Sequence, residues 1–185
     1  MDTDNELVGR VRAGDDEAFR LLVERHTRAI YRAAYRITAN AADADDVVQE
    51  TFLRAYRAID RYDARASFTT WLHRIAINGS LDLIDSRKRR DARHAGDEDL
   101  SAIASTAATP DRIVHGLEMQ RAVASAMERL SGNERTAFVL RHFEGMPLEE
   151  IGAILGTQIS ATKNTVFRAV KKLREHLQPF TGSLV

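Results

Sequence analysis

The chain has 185 residues, enough for one ordinary domain or two small ones, and its 44% hydrophobic composition is that of a globular protein. It contains no cysteine, which excludes disulfides, thiolate nucleophiles and Cys-type zinc sites. No stretch approaches the roughly 18 apolar residues of a membrane span, and the acidic, polar start is unlike a signal peptide. We therefore expect a cytoplasmic protein without membrane insertion.

The 27 basic and 27 acidic side chains cancel, but they are separated along the sequence. Residues 1–63 hold 10 basic and 13 acidic groups, 64–94 hold 7 and 3, 95–134 hold 3 and 7, and 135–178 hold 7 and 4. This alternation is typical of a protein in which some surfaces meet phosphates while others meet a basic protein or stay solvated.

Amphipathic helical patterns fill the first 90 residues. The spacing predicts a helix over 15–35, a second over 41–59 capped by Asn40, and a third from Phe68 to the basic run 87–90. The apolar positions that define them are Phe19, Leu22, Val23, His26, Ile30, Ala33 and Ala34, then Val48, Phe52, Tyr56 and Ile59, then Phe68, Trp71, Leu72, Ile75, Ile77, Leu81 and Ile84. We expect these helices to pack as a bundle.

Between Asp91 and Thr109 the sequence loses apolar periodicity and becomes rich in alanine, serine, threonine and aspartate, which indicates a flexible linker. Thr109 and Pro110 suit the N-cap and first position of a further helix, which Gly132 is expected to end. That helix carries Ile113, Leu117, Val123, Met127 and Leu130. The predicted fold class is all-α, with two small helical domains at 1–90 and 110–185 joined by a linker at 91–109.

The strongest local pattern is a helix-turn-helix at 148–177. It predicts a helix over 148–155, a tight turn and a second helix from Ser160. Gly156 supplies the left-handed backbone that the corner requires, and Gly152 permits close contact between the helices. The side chains expected to close its core are Ile151, Leu155, Ile159, Val166 and Val170.

The outward side of the second helix is basic, with five basic residues and no acidic one over 159–174. Its side chains are Lys163, Asn164, Phe167, Arg168, Lys171 and Lys172. Such a helix suits the major groove of duplex DNA, where early residues approach bases and later ones meet phosphates. The alternative is a solvated basic helix that binds nothing.

Aromatic and basic side chains are interleaved around the third helix. Tyr62, Phe68 and Trp71 lie near Arg65, Arg74 and the cluster Arg87, Lys88, Arg89 and Arg90. Flat rings stack on unpaired bases while arginines hold the backbone, so this grouping favours single-stranded DNA binding. For Phe68 or Trp71 taken alone, a place in the core is the better interpretation.

Two other classes of protein compete with these interpretations. One is a transcription regulator whose N-terminal bundle senses a signal and whose helix-turn-helix binds an operator. The other is an enzyme with a metal cluster at Asp43, Asp45, Asp46 and Glu50, which is disfavoured because successive residues diverge around a helix. We predict no catalytic residue, metal, cofactor or small-molecule substrate, since the histidines lack paired ligand spacing and no phosphate-loop motif occurs.

Several ordered motifs resemble the extracytoplasmic-function (ECF) sigma factors, the group 4 sigma-70 family subunits of bacterial RNA polymerase. They are Gly14 to Phe19 (GDDEAF), Asp43 to Phe52 (DADDVVQETF), Phe68 to Leu72 (FTTWL), Arg74 to Asn78 (RIAIN) and Leu140 to Gly145 (LRHFEG), followed by the helix-turn-helix. The resemblance implies that 1–90 is a sigma region 2 domain and 110–185 a region 4 domain. It also implies binding to the β and β′ subunits of core polymerase, to promoter DNA and to an anti-sigma factor.

The resemblance also implies site residues. Asp46, Gln49 and Glu50 would bind the polymerase β′ coiled coil. The minus-ten element would be opened and held by Tyr62, Phe68, Trp71, Arg74, Ile75, Asn78, Arg87, Lys88, Arg89 and Arg90, in part by capturing a flipped base. The minus-thirty-five element would be bound by Lys163, Asn164, Thr165, Phe167, Arg168 and Lys171. The sequence names neither the inducing signal nor the regulon.

The recognition helix departs from the family pattern at two places. Ser160, Ala161 and Thr162 replace the usual Gly-Thr-Val, and Asn164 and Thr165 replace Ser-Arg. Losing an arginine at Thr165 removes a contact worth roughly 1–3 kcal/mol if it reads a base. We therefore expect a different promoter preference.

Overall fold

The computed structural model describes residues 2–94 and 112–181, and every regular element within these residues is helical. The helices are α1 (Asp4–Arg12), α2 (Asp16–Thr38), α3 (Ala41–Ala58), a short 3₁₀ turn (Ile59–Arg61), α4 (Phe68–His94), α5 (Arg112–Glu128), α6 (Gly132–His142), α7 (Leu148–Leu155) and α8 (Ile159–Thr181). The all-α prediction is confirmed for this part of the chain. Helix α4 continues four residues into the predicted linker, whose remainder (95–109) and the predicted Thr109–Pro110 cap lie outside the described residues.

The N-terminal half is a bundle of α1 to α4 around one apolar core. Its helix starts are fixed by side chains, because Asp15 caps α2 and the Asn40 side chain accepts from the Asp43 amide at 3.0 Å. Fully buried side chains at its centre include Leu7, Leu22, Ile30, Phe68 and Leu72. The three long predicted helices are therefore confirmed.

Two features of this bundle differ from the sequence analysis. Helix α1 was not predicted; a capping box between Thr3 and Glu6 starts it, and Leu7 and Val8 anchor it in the core. Tyr56, expected in the apolar stripe of α3, is 48% exposed, and its hydroxyl donates to Asp16 across the edge of the bundle. A tyrosine keeps its polar end near water in this way.

The C-terminal half consists of α5 to α8, with α8 packed against α5, α6 and α7. Ser131 and Glu134 form a capping box that starts α6 at Gly132, so the expectation that Gly132 ends the preceding helix was wrong; α5 ends at Glu128. Ile159, expected in the core of the helix-turn-helix, is 50% exposed because α8 begins at that residue.

The two halves pack against each other through a shared apolar cluster. Ile37 of α2 and Ile77 of α4 are buried with Leu140, Ile151 and Ile154 of the C-terminal half. Polar contacts border the cluster. Arg135 Nη1 donates to the Ile37 carbonyl at 2.7 Å, and Thr70 donates to Glu150. Arg36 Nη1 donates to Glu144 Oε1 at 3.3 Å, and the Arg36 guanidinium lies 4.2 Å from the centre of the Phe143 ring. This arrangement places α7 over part of α4.

Candidate nucleic-acid interface

The N-terminal half of α8 presents a basic, exposed side. Lys163, Asn164, Phe167, Arg168 and Lys171 are all exposed there, as the sequence predicts for a recognition helix. Phe167, on the same side, is 68% exposed. The structure thus brings five of the six predicted minus-thirty-five residues onto one accessible side.

Thr165 is the sixth, and it lies beneath that side. Its side chain is buried, its hydroxyl donates to the Ala161 carbonyl at 2.9 Å, and it accepts from Arg168 Nη2 at 3.3 Å. Thr165 is therefore in a position to support Arg168 rather than to face a ligand.

Two glycines fix where α8 lies relative to α7. Gly156 adopts the left-handed conformation (φ +66°) that ends α7, as predicted. A Cβ at Gly152 would lie only 2.7 Å from the Thr157 carbonyl oxygen and 3.0 Å from Thr162 Oγ1, so the close approach of the turn requires glycine. This geometry confirms the predicted helix-turn-helix.

A buried carboxylate beneath α8 was missed by the sequence analysis. Glu134 on α6 has a side chain only 6% exposed, and it pairs with Lys172 Nζ at 2.8 Å and lies 3.6 Å from Arg168 Nε. Burial acts to raise its pKa, but hydrogen bonds from Lys172 and the Ser131 amide hold the pKa below its ordinary value. The Ser-x-x-Glu spacing of a capping box was the available signal.

The acidic residues of α3 lie beside α4. Asp46 and Gln49 are exposed, and Glu50 is half-buried and accepts from Arg54 Nε at 2.6 Å. Asp46 and Glu50 line a cleft of about 200 Å³ together with Asp82 of α4. Within the described ranges no three potential ligands come together in a way that suits a metal ion.

Three aromatic rings meet at the start of α4. The centroids of Tyr62, Phe68 and Trp71 lie 5.4 to 5.6 Å apart, so the predicted grouping is present. Tyr62 and Phe68 are core residues, 5% and 2% exposed, whereas Trp71 is half-buried and Arg74 is exposed. Of these four residues, Trp71 and Arg74 are the two whose side chains are accessible to a ligand.

The other predicted minus-ten residues are dispersed along α4. Ile75 faces the cleft with the acidic residues of α3, and Asn78 is exposed. Arg87 pairs with Asp43 of α3, Arg89 Nη2 donates to Ser86 Oγ at 3.2 Å, and Arg90 is exposed. The side chain of Lys88 lies outside the described residues.

A cavity of about 260 Å³ adjoins Trp71, and both halves of the chain form its walls. Its lining residues are Tyr62, Asp63, Arg65, Ala66, Thr70, Trp71, Arg74, Ala153 and Ile154. The last two belong to α7. The first helix of the helix-turn-helix therefore covers one side of the aromatic surface of α4.

Known families match the two halves in order. Residues 22–90 match Sigma-70 region 2, and residues 120–173 match Sigma-70, region 4. The ECF RNA polymerase sigma factor SigW of Bacillus subtilis (strain 168) is 34% identical over 177 residues, which cover 92% of this chain and 95% of SigW. The chain belongs to the ECF sigma factors.

Further ECF and related sigma factors have similar identity. The RNA polymerase sigma-H factor of Pseudomonas aeruginosa PAO1 is 35% identical, covering 97% of this chain and 96% of its own. The ECF sigma-E factor of Escherichia coli K12 is 33% identical, covering 96% and 95%. The fold matches CnrH, solved in complex with the cytosolic domain of CnrY, with a TM-score of 0.72 and 34% identity over 96% of this chain and 99% of CnrH.

The function follows from the family. This sigma factor directs promoter recognition and transcription initiation by RNA polymerase, and its relatives are transcription initiation factors. None of the helices within 2–94 and 112–181 is both long and apolar enough to span a membrane.

Proposed function

We propose that this sigma factor binds promoter DNA through two surfaces, α8 and the region around Trp71 on α4. It binds core polymerase through a third surface, the acidic residues of α3. The observation that carries the proposal is the exposed basic side of α8, which has no acidic residue over 159–174 and is held in position by the glycine corner. The domain bounds that go with it are 1–90 and 110–185.

In this proposal, α8 binds the minus-thirty-five element in the major groove. Lys163 and Asn164 lie near its N-terminus, where recognition helices meet base edges, and Lys171 lies further along, where phosphates are contacted. The Phe167 ring offers an apolar contact for a base edge such as a thymine methyl.

The surface around Trp71, Arg74 and Asn78 takes the opened minus-ten strand. An aromatic ring beside exposed cations and an amide supplies stacking, charge and a hydrogen-bonding group for an extruded base. Tyr62 and Phe68 support the Trp71 ring from the core. Arg90 and the neighbouring basic residues hold the adjoining phosphates.

The acidic surface of α3, with Asp46, Gln49 and Glu50, binds the β′ subunit of core polymerase. Its two carboxylates line the cleft between α3 and α4. Charge of opposite sign on the polymerase accelerates such an encounter.

We also place an anti-sigma factor among the partners and the cytoplasm as the location, since the polymerase acts there. The match to CnrH, which was solved with a bound CnrY domain, supports such a partner. The sigma factor has no catalytic activity of its own in this proposal, because the polymerase core forms the phosphodiester bonds.

The test is transcription in vitro by bacterial core polymerase plus the full chain on genomic DNA, with the transcripts sequenced. We expect defined start sites preceded by two shared elements, which also gives the promoter preference. Replacing Lys163 and Asn164 together with alanine should reduce transcription from these promoters roughly tenfold or more. Replacing the exposed Arg121 of α5 with alanine, as a control, should leave it unchanged.

The alternative, an operator-binding regulator, predicts no binding to core polymerase and no promoter-dependent transcription. A regulator of that kind would not co-migrate with core polymerase in gel filtration, and core plus chain would give no promoter-dependent transcript. Either result contradicts the proposed function.

A further inference from the structure

Helix α8 packs over a buried carboxylate of α6, and that carboxylate lies next to two basic side chains of α8. The side chain of Glu134 is 6% exposed, while those of Arg168 and Lys172 are 61% and 48% exposed. Buried carboxylates are rare unless they are paired, and one placed beneath a surface that must attract phosphate lowers the positive potential of that surface. Its presence there calls for a role beyond starting α6.

Glu134 itself is held rigidly. Its backbone amide donates to Ser131 Oγ at 3.2 Å, and its Oε2 accepts from the Ser131 amide at 3.0 Å, so the capping box fixes the carboxylate on α6. The same oxygen accepts from Lys172 Nζ at 2.8 Å. Lys172 is therefore tied to the protein by a charge-assisted hydrogen bond of ordinary length.

Arg168 is oriented by two contacts. Its Nε lies 3.6 Å from Glu134 Oε1, and its Nη2 donates to Thr165 Oγ1 at 3.3 Å. The guanidinium is planar and rigid, so a hydrogen bond at one nitrogen and a carboxylate close to another together favour one direction for the whole group. A side chain oriented before binding loses less conformational entropy when it meets DNA.

We infer that Glu134 is a positioning residue for minus-thirty-five recognition, which orients Arg168 and withholds Lys172 from the DNA phosphates. The inference rests on the proposed role of α8. It explains how two adjacent basic residues of α8 differ. Lys171 can meet a phosphate by giving up only a 3.9 Å pair with exposed Glu175, whereas Lys172 is held by Glu134 at 2.8 Å.

The test uses holoenzyme reconstituted from core polymerase and the full chain. Its equilibrium binding is measured to a duplex that carries one of the promoters identified by transcript sequencing. Affinity is measured for the natural and a scrambled minus-thirty-five element over a range of salt concentrations. Glu134→Gln keeps the capping groups and the size of the side chain but removes the charge. Glu175→Gln is the control, since it removes one exposed acidic charge from α8 itself, next to Lys171.

For Glu134→Gln we expect the preference for the natural element to fall roughly threefold to tenfold, because Arg168 is no longer oriented. We also expect the plot of log affinity against log salt to become steeper by about 1, because Lys172 is released to a phosphate. Glu175→Gln should change neither. A merely structural role for Glu134 would lower stability without making the salt dependence steeper.

A second pair of variants decides the matter even where Glu134→Gln does not fold. Lys171→Gln should make the salt slope shallower by about 1, while Lys172→Gln should leave it unchanged. Equal losses for the two lysines, or a Glu134→Gln variant that behaves like Glu175→Gln, would overturn the inference. If the unmodified holoenzyme itself does not distinguish the scrambled element, the proposed role of α8 is what fails.

Discussion

At the scale of single residues, one buried histidine makes the stability of the fold depend on pH. His73 on α4 is 2% exposed, its Nδ1 lies 2.8 Å from the Thr69 carbonyl, and its Nε2 has no hydrogen-bond partner among the described residues. Because a carbonyl accepts, Nδ1 carries the proton and Nε2 is unprotonated. Burial lowers the pKa of His73, and the Thr69 carbonyl, Glu144 and Glu150 oppose this shift without cancelling it.

This lowered pKa predicts that stability falls in acid. The unfolded chain takes up the proton near the ordinary histidine pKa of 6.5, while the folded chain does so only at lower pH. The free energy of unfolding should therefore hold above about pH 6.5 and decrease below it until the folded-state pKa is passed. His26, whose pKa burial also lowers despite its contact with Asp4, acts in the same direction.

The measurement is urea unfolding between pH 7.5 and about pH 5. His73→Gln should flatten the decrease without abolishing it, because His26 remains. If the variant lacking His73 shows the same pH dependence as the natural chain, the pKa of His73 is the same in the folded and unfolded chain, which contradicts the prediction.

At the scale of helices, the contact between α7 and the turn that precedes α8 depends on Gly152. A methyl group there would meet the Thr157 carbonyl oxygen at 2.7 Å, and a backbone oxygen cannot rotate away. Gly152→Ala should therefore cost about 1–3 kcal/mol of stability, although alanine is the better helix former. It should also weaken promoter binding, since the two helices are pushed apart.

Gly9→Ala supplies the matched control. Gly9 lies within α1, and an added Cβ there meets nothing within 4 Å. This substitution should stabilise the chain by about 0.5–1 kcal/mol through helix propensity. Thermal unfolding of both variants is the measurement, and stabilisation by Gly152→Ala would contradict the close approach of α7 and the turn.

Helices were also the level at which the sequence predicted best. The long apolar stripes of α2, α3 and α4 recur with the helical period, so they predict these helices directly. The corner at Gly156 is predicted by its residue type, since glycine favours the left-handed conformation. Helix α1 escaped prediction because nine residues show too little periodicity, and its start depends on a local capping box. Tyr56 and Ile159 were misplaced because apolar character alone does not say whether a neighbouring helix covers a position.

Features that depend on distant contacts could not be predicted in this way. Ile37 and Ile77 are apolar members of their own helices, and nothing in their spacing says that they pack against α6 and α7. Likewise Glu134 is one of many acidic residues in the sequence, and only the fold places it beneath Arg168 and Lys172. The recognition side of α8 was predictable because its pattern is local; its support was not.

At the scale of the whole molecule, the arrangement of the two halves limits what the chain does by itself. Helix α7 lines the cavity beside Trp71, and Thr70 of α4 donates to Glu150 of α7. The aromatic surface proposed for the minus-ten strand is thus partly covered by the domain proposed for the minus-thirty-five element. The two DNA elements are separated by about 25 base pairs, or roughly 85 Å along B-form DNA.

Two halves in contact cannot reach elements that far apart, so the proposed function requires them to separate during promoter binding. Separation breaks the ion pair between Arg36 and Glu144, whose side chains are 31% and 8% exposed. The apolar contacts of Ile37 and Ile77 are the larger part of the interface. Binding of polymerase and DNA must offset their loss.

Because the chain has no cysteine, two introduced cysteines can carry a pair of dyes without background labelling. With the exposed residues Arg28 and Glu175 replaced by cysteine, we expect one short inter-dye distance for the free chain and an increase of tens of ångströms in holoenzyme on promoter DNA. Dyes at Arg28 and Arg57, both in the N-terminal half, should report no change. The same transfer efficiency for the first pair in free chain and promoter complex would contradict separation, and with it the assignment of α4 and α8 to two distant DNA elements.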